Sequence, residues 1–240
     1  MSLVKLGRFS RYAGWSAYVS ALLSVVGFAF LFLLYFYALQ PNVRVPGGGN
    51  PLDFGHLNDT VGLFAPLCML PLPVALHALT SHRRPGLSWA AMALGVSGLL
   101  SIILAQTLLL AQVITFEMNL PFTMIGLVLL GAWLILANQL GRVGGALSRR
   151  LGWLGELNGA AFLLAVGGVL LVNLPNALAA GRPSQQSPAL FVVIIVLAIP
   201  GALAYFIGFP LWLVGLGHRL LASPLAPELS NQRPAPLGAL

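Results

Sequence analysis

The sequence predicts an all-α integral membrane protein: a bundle of six transmembrane helices with both termini cytoplasmic. Three observations carry that expectation. The chain is 58% hydrophobic and only 7% charged over 240 residues, a composition outside the range of soluble domains. Six long apolar runs are separated by loops that hold nearly all of its charges. The sign of those charges alternates from loop to loop.

A span needs about 17–25 predominantly apolar residues, at about 1.5 Å rise each, to cross about 30 Å of hydrocarbon. The first run, Ala13 to Leu39, follows Lys5, Arg8 and Arg11. It is too long for the h-region of a signal peptide and is expected to remain as an anchor. Along it, Ser16, Ser20, Ser24 and Gly27 form a narrow stripe of small residues that lets another backbone approach. The second run, Thr60 to Thr80, carries Pro66, Pro71 and Pro73, each of which removes a backbone hydrogen bond and can kink its helix. The third, Leu87 to Phe116, is long enough to tilt. The fourth spans Leu120 to Leu140.

The fifth run, Leu157 to Ala180, is entered through a GxxxG pair, Gly155 and Gly159, with Gly167 and Gly168 two turns on, a second close-contact face. The sixth, Pro188 to Leu216, is interrupted at Pro200-Gly201 and Pro210. Residues 1–220 therefore read as one six-helix transmembrane domain, and 221–240, rich in proline and polar groups, as a flexible cytoplasmic tail. The longest outer loop, Gln40 to Asn58, contains Pro46-Gly47-Gly48-Gly49 and reads as irregular.

Ten of the twelve basic residues fall at the N-terminus, in alternate loops and at the C-terminus: Lys5, Arg8, Arg11, Arg83, Arg84, Arg142, Arg149, Arg150, Arg219 and Arg233. The other side carries Arg44 and Arg182 with the acids Asp53, Asp59 and Glu117. The positive-inside rule then places both termini in the cytoplasm. Trp15, Trp89, Trp153 and Trp212 near inner ends, and Tyr35 and Tyr37 near an outer end, read as interfacial belts. The net charge of +7 is spread over short loops without aromatic interleaving, which argues against nucleic acid as a partner. The single cysteine, Cys68, lies inside an apolar run and can form no intrachain disulfide.

An ionisable residue inside the membrane is costly and so marks function. No span carries one near its middle. Glu117 and Glu156 fall at span ends, and Glu156 is expected to precede a helix and face its positive end. Proton pumping through an in-membrane carboxylate relay is disfavoured. A retinal protein is excluded, because the only lysine, Lys5, precedes the first span. There is no nucleophile elbow, no HExxH and no phosphate-binding glycine loop, so the chain reads as a non-enzyme.

No metal or cofactor is expected. The one haem option pairs His77 with His218 at inner ends; satisfied interfacial histidines are the simpler reading. Outside, Asp53, His56 and Asp59 recur at three-residue spacing and form a candidate polar cluster for a cation. The alternative is a polar cap, with Asn58 or Asp59 closing the start of the second helix. Gln106, Gln112, Glu117, Asn138, Asn173 and Asn176 are the residues that could line a polar path. Gln106 and Glu117 are expected on nearly one helical face. The alternative for the amides is hydrogen bonding between helices.

Gly55-His56-Leu57-Asn58 and Gly155-Glu156-Leu157-Asn158 share Gly-x-Leu-Asn at an offset of 100 residues. A true duplication would make an inverted pair of three-helix halves; coincidence in a Gly- and Leu-rich chain is the alternative. The segments Arg11-Tyr12-Ala13-Gly14, Gly55 through Leu57-Asn58-Asp59 to Leu70-Pro71, and Phe209-Pro210-Leu211-Trp212-Leu213-Val214-Gly215-Leu216-Gly217-His218-Arg219 resemble a family of uncharacterised six-span bacterial membrane proteins (DUF4386-like). That resemblance implies a six-helix body in a bacterial cytoplasmic (inner) membrane and supplies no activity or site.

Two functional classes remain. One is a non-enzymatic membrane subunit or lipid- or apolar-ligand-binding protein, whose partners are membrane lipids and other membrane subunits or further copies of itself. The other is a transporter or channel for a small neutral or weakly polar solute, favoured by the broken helices. The absence of buried charge favours the first.

Overall fold

A computed structural model describes residues 3–39, 50–178 and 199–222. Among them the chain is helical throughout, with short turns and no strand. The helices are α1 (Leu3–Leu39), α2 (Pro51–Met69), α3 (Pro71–Thr80), α4 (Pro85–Leu110), α5 (Phe116–Val143), α6 (Arg149–Leu178) and α7 (Ile199–Ala222). With α2 and α3 counted as one span, six helices are long and apolar enough to cross a membrane. The chain has the architecture of a multi-pass membrane protein. Its perimeter is apolar, with Leu22, Phe32, Leu104, Ile125, Leu164 and Leu211 all exposed on the outside of the bundle, as an apolar solvent requires.

The expected runs are all found, with shifted ends. The second span begins at Pro51 rather than Thr60, because Asn50 caps it: its side chain accepts from the Leu52 N–H, and Asp53 accepts from the Asn50 N–H at 3.2 Å. The cap is thus Asn50, and neither Asn58 nor Asp59 serves. The third span ends at Leu110, short of Phe116. The apolar run continues through Val113 and Ile114, but Gln112 adopts a left-handed φ of 56°. The Val113 N–H then bonds the Leu108 carbonyl and the Gln112 N–H the Leu109 carbonyl, a Schellman closure. The fifth span begins at Arg149, eight residues before Leu157, so Glu156 lies two turns inside the helix instead of preceding it. The first residues of the sixth run, from Pro188, fall outside the described residues.

The spans form a ring in the order α1, α2, α4, α5, α6, α7 and back to α1. Lipid supplies no hydrophobic drive between helices, so close packing must hold the ring. Three glycine pairs bring backbones together. A Cβ on Gly14 would lie 3.1 Å from the Gly217 carbonyl, joining α1 to α7; one on Gly98 would lie 2.9 Å from the Gly126 carbonyl, joining α4 to α5; and one on Gly131 would lie 2.9 Å from the Gly159 carbonyl, joining α5 to α6. The expected close-contact face thus holds for Gly155 and Gly159. At Gly167 no neighbour among the described residues lies within 4 Å. The serine stripe of α1 docks on α2: the Ser16 hydroxyl donates to the Cys68 carbonyl at 2.7 Å and that of Ser20 to the Ala65 carbonyl at 3.2 Å.

Ser16 meets α2 where the second span breaks. Pro71 has no N–H to continue the ladder, so the span interrupts at Leu70 and restarts with Pro71 in the first turn of α3. The break turns α3 inward, where it touches α1, α4 and α5, a helix that α2 itself does not reach. Leu72, Pro73, Ala75 and Leu76 are consequently buried in the bundle centre. One half of the ring is filled by this inserted helix.

That half carries the arginines of the described residues. Arg83 donates to the Val143 carbonyl at 3.2 Å, Arg219 to the Ala146 carbonyl at 3.0 Å, and the Ser10 hydroxyl to the Leu220 carbonyl at 2.9 Å. The start of α1, the α3–α4 and α5–α6 turns and the end of α7 therefore share one face, called the basic end below. Arg142 forms a two-pronged pair with Glu156 at 2.9 and 3.2 Å and lies 4.6 Å over the Trp153 ring. Glu156 is thereby neutralised between α5 and α6.

Candidate functional site

The half of the ring away from the basic end encloses a partly open cavity of about 410 Å³. All six spans line it. The volume falls in the range of small-molecule sites, about 300–1,000 Å³. Its walls are mostly aliphatic and aromatic, and among the described residues no Asp, Glu, Lys, Arg or His side chain lines it. Ser24, Asn58, Gln106, Thr123 and Tyr205 supply its polar side chains.

One wall owes its shape to a local defect in α7. Pro210 has no N–H and its ring would collide with the carbonyl one turn back. The helix widens ahead of it into a π-helical stretch, Ala204–Gly208, in which the Phe209 N–H reaches the Ala204 carbonyl. The widened turn presents Tyr205, Phe206 and Phe209 to the cavity. Phe206 meets Phe28 of α1 at 4.4 Å between ring centroids, and Phe162 of α6 packs on Tyr205 at 5.8 Å and Phe209 at 5.5 Å. Asn158 sits in the notch left by Gly208, with its Nδ2 buried and unpartnered.

Below the cavity, toward the basic end, lies a closed floor. Phe209 stacks on Trp212 at 5.8 Å, and Trp212 meets Trp133 edge to face at 5.8 Å. Both indoles are fully buried. The Trp212 N–H donates to Asn138 Oδ1 at 2.9 Å, while Asn138 Nδ2 donates to the Leu134 carbonyl at 2.8 Å. The floor is apolar, apart from hydrogen bonds it satisfies itself and the Trp133 Nε1, which has no partner. A Cβ on Gly155 would fall inside the Asn138 amide, so this glycine makes room for the hydrogen bond.

The candidate path residues separate. Gln106 lines the cavity, and its Oε1 is buried without a hydrogen-bond partner. Gln112 is exposed in the α4–α5 turn, and Glu117 is exposed in the first turn of α5. Because that turn separates them, Gln106 and Glu117 belong to different helices, and the shared helical face is not formed. Asn138 belongs to the dry floor. Asn173 and Asn176 lie on α6, with side chains outside the described residues.

The histidines and outer acids are also apart from the cavity. Among the described residues no three His, Cys, Asp or Glu side chains converge on a metal-sized space, so Asp53, His56 and Asp59 form no ligand set. Asp53 is occupied by the helix cap. His77 Nδ1 is 2.8 Å from the Ser88 hydroxyl, which also meets Thr80 at 2.7 Å, and its ring packs on Trp89 at 4.7 Å. His218 is exposed on α7, a helix that does not touch α3. Asn58 lies beside Gly27 of α1, whereas Asn158 lies beside Gly208 of α7; the shared Gly-x-Leu-Asn segments make different contacts.

Sequence reading missed the aromatic wall and floor. Trp212 was expected in an interfacial belt and is instead at the centre of the core, unlike Trp15, Trp89 and Trp153, which are exposed. Nothing in the local sequence separates an aromatic that faces lipid from one that faces the bundle. The proline at position 210 was the available signal for the widened turn. No protein family, curated protein or solved structure matches this chain.

Proposed function

We propose that this chain is a non-enzymatic protein of the bacterial cytoplasmic membrane that holds a lipid or other apolar ligand in the cavity of its six-helix ring. The observation that carries the reading is the asymmetry of the ring. The inserted α3 and the Trp133–Trp212 pair fill one half, and the other half holds a cavity of about 410 Å³ walled by all six spans, with no charged side chain among its described lining residues. An apolar space of this size gains contact with an apolar guest and offers an ion nothing to pair with. In this reading the basic end and both termini face the cytoplasm, so the cavity faces the outer leaflet. Membership of the six-span bacterial family belongs to the same proposal and rests on the quoted segments alone. Membrane lipids are its partners, with other subunits or further copies packing on the exposed perimeter.

The test is gentle purification of the full chain, followed by solvent extraction and measurement of apolar molecules retained per protein. The wild type is expected to retain about one. Gly62→Leu, which projects a side chain into the cavity from α2, is expected to lose it while keeping its elution profile. Equal retention by both would contradict the reading.

A transport role is supported by two features: the interrupted second span and the π-helical turn of α7 both border the cavity, through Met69 at the break and Tyr205. Such defects allow helices to rearrange. Passage requires the Trp133–Trp212 floor to part, so solute flux through reconstituted Trp212→Ala but not through wild type would identify a gated path.

A further inference from the structure

The cavity is itself amphipathic along the bundle axis. On α2, Asn58 lies near the open end and Met69 at the floor, eleven residues or about 16 Å apart. On α4 and α5 the same order recurs, with Gln106 and Thr123 above and Leu99 and Leu130 about 10 Å below. Three polar side chains from three helices thus share the upper level, and the lower level is apolar throughout.

The hydrogen-bonding state of these groups selects among ligands. The Thr123 hydroxyl donates to Asn119 Oδ1 at 3.3 Å, and the Ser24 hydroxyl to the Ser20 carbonyl at 2.9 Å. Their protons are committed, which leaves each oxygen to accept. The Gln106 and Asn58 amides add both acceptor oxygens and N–H donors, the Gln106 oxygen having no partner. Among the described lining residues a carboxylate or phosphate head would meet no cation, and an ammonium head no anion. A hydroxyl both donates and carries no charge.

We propose that the cavity takes an uncharged single-chain amphiphile with a hydroxyl-bearing head, such as a long-chain alcohol or a monoacylglycerol. Its head lies among Asn58, Gln106 and Thr123 and its chain reaches the floor at Met69, Leu130 and Phe209. This assignment deepens the ligand-binding reading and rests on it.

Fluorescence quenching tests it. The variant Trp15→Phe/Trp89→Phe/Trp153→Phe keeps only the two floor indoles, which lipid cannot reach from outside because both are fully buried. Reconstituted in nanodiscs, it is titrated with three terminally brominated probes: 12-bromododecan-1-ol, fully ionised 12-bromododecanoate and 1-bromododecane. The alcohol is expected to quench saturably, with the carboxylate at least about tenfold weaker. Gln106→Leu and Thr123→Val are each expected to weaken the alcohol several-fold and leave bromododecane unchanged, which also shows that the variants fold. Equal affinity for alcohol and carboxylate, or equal loss for all probes in both variants, overturns the head-group assignment while leaving ligand binding standing. Absence of saturable quenching by any probe overturns both.

Discussion

The indole N–H of Trp212 on α7 donates to the side-chain oxygen of Asn138 on α5 at 2.9 Å, and both residues are fully buried. These helices are not neighbours in the ring, where α6 lies between them, so the bond ties α5 to α7 across the floor of the cavity. Trp212→Phe is expected to lower stability by about 1 kcal/mol, since it removes the bond and leaves an unpartnered amide oxygen. Asn138→Ala should cost more, because it also opens a void. Unfolding of both single variants and the double variant in detergent checks this: a coupling of about 0.6–1.7 kcal/mol is expected, and additivity would contradict it.

Gln112 occupies the left-handed position of the α4–α5 turn, where glycine is the favoured residue. Gln112→Gly is therefore expected to raise stability by about 0.5–1 kcal/mol, and Gln112→Val to lower it. Thermal unfolding of the two variants should move in opposite directions. A gain from valine would contradict the turn assignment.

Much of the ring was legible in the sequence because apolar length and charge placement are local properties. The Gly155/Gly159 contact followed from spacing alone. What failed depended on where the chain turns. The apolar run through Val113 and Ile114 concealed the end of α4, so Gln106 and Glu117 were placed on one face that does not exist. Pro71 announced a break, but the direction in which α3 then runs is set by partners distant in sequence. Gln106 was legible as an amide in an apolar setting; that it lines a cavity depends on α3 filling only the other half.

Packing of α5 on α6 rests on backbone approach at Gly131 and Gly159. Gly159→Leu has no room, since its Cβ would press on the Gly131 carbonyl and on Ile135, and should destabilise the bundle by about 2 kcal/mol or more. Gly167→Ala, on the same helix with no described residue within 4 Å of the added Cβ, should be neutral or slightly stabilising. Comparing the two by unfolding in detergent separates packing from helix propensity.

Orientation is open to chemical labelling in a Cys68→Ala background. Ser148→Cys marks the basic end and Glu117→Cys the other, and both positions are exposed. A membrane-impermeant maleimide is expected to label Glu117→Cys on intact cells and Ser148→Cys only after permeabilisation. The reverse pattern would place the cavity toward the cytoplasm.

An electron cryomicroscopy map of the full chain in nanodiscs formed from its native membrane most directly tests whether the ring houses a guest. Elongated density is expected between Phe28, Gln106 and Phe209, ending at the Trp133–Trp212 floor and lost in Gly62→Leu. A collapsed or empty ring in the wild type, with the spans closed on one another at that level, would contradict ligand binding as the purpose of the cavity.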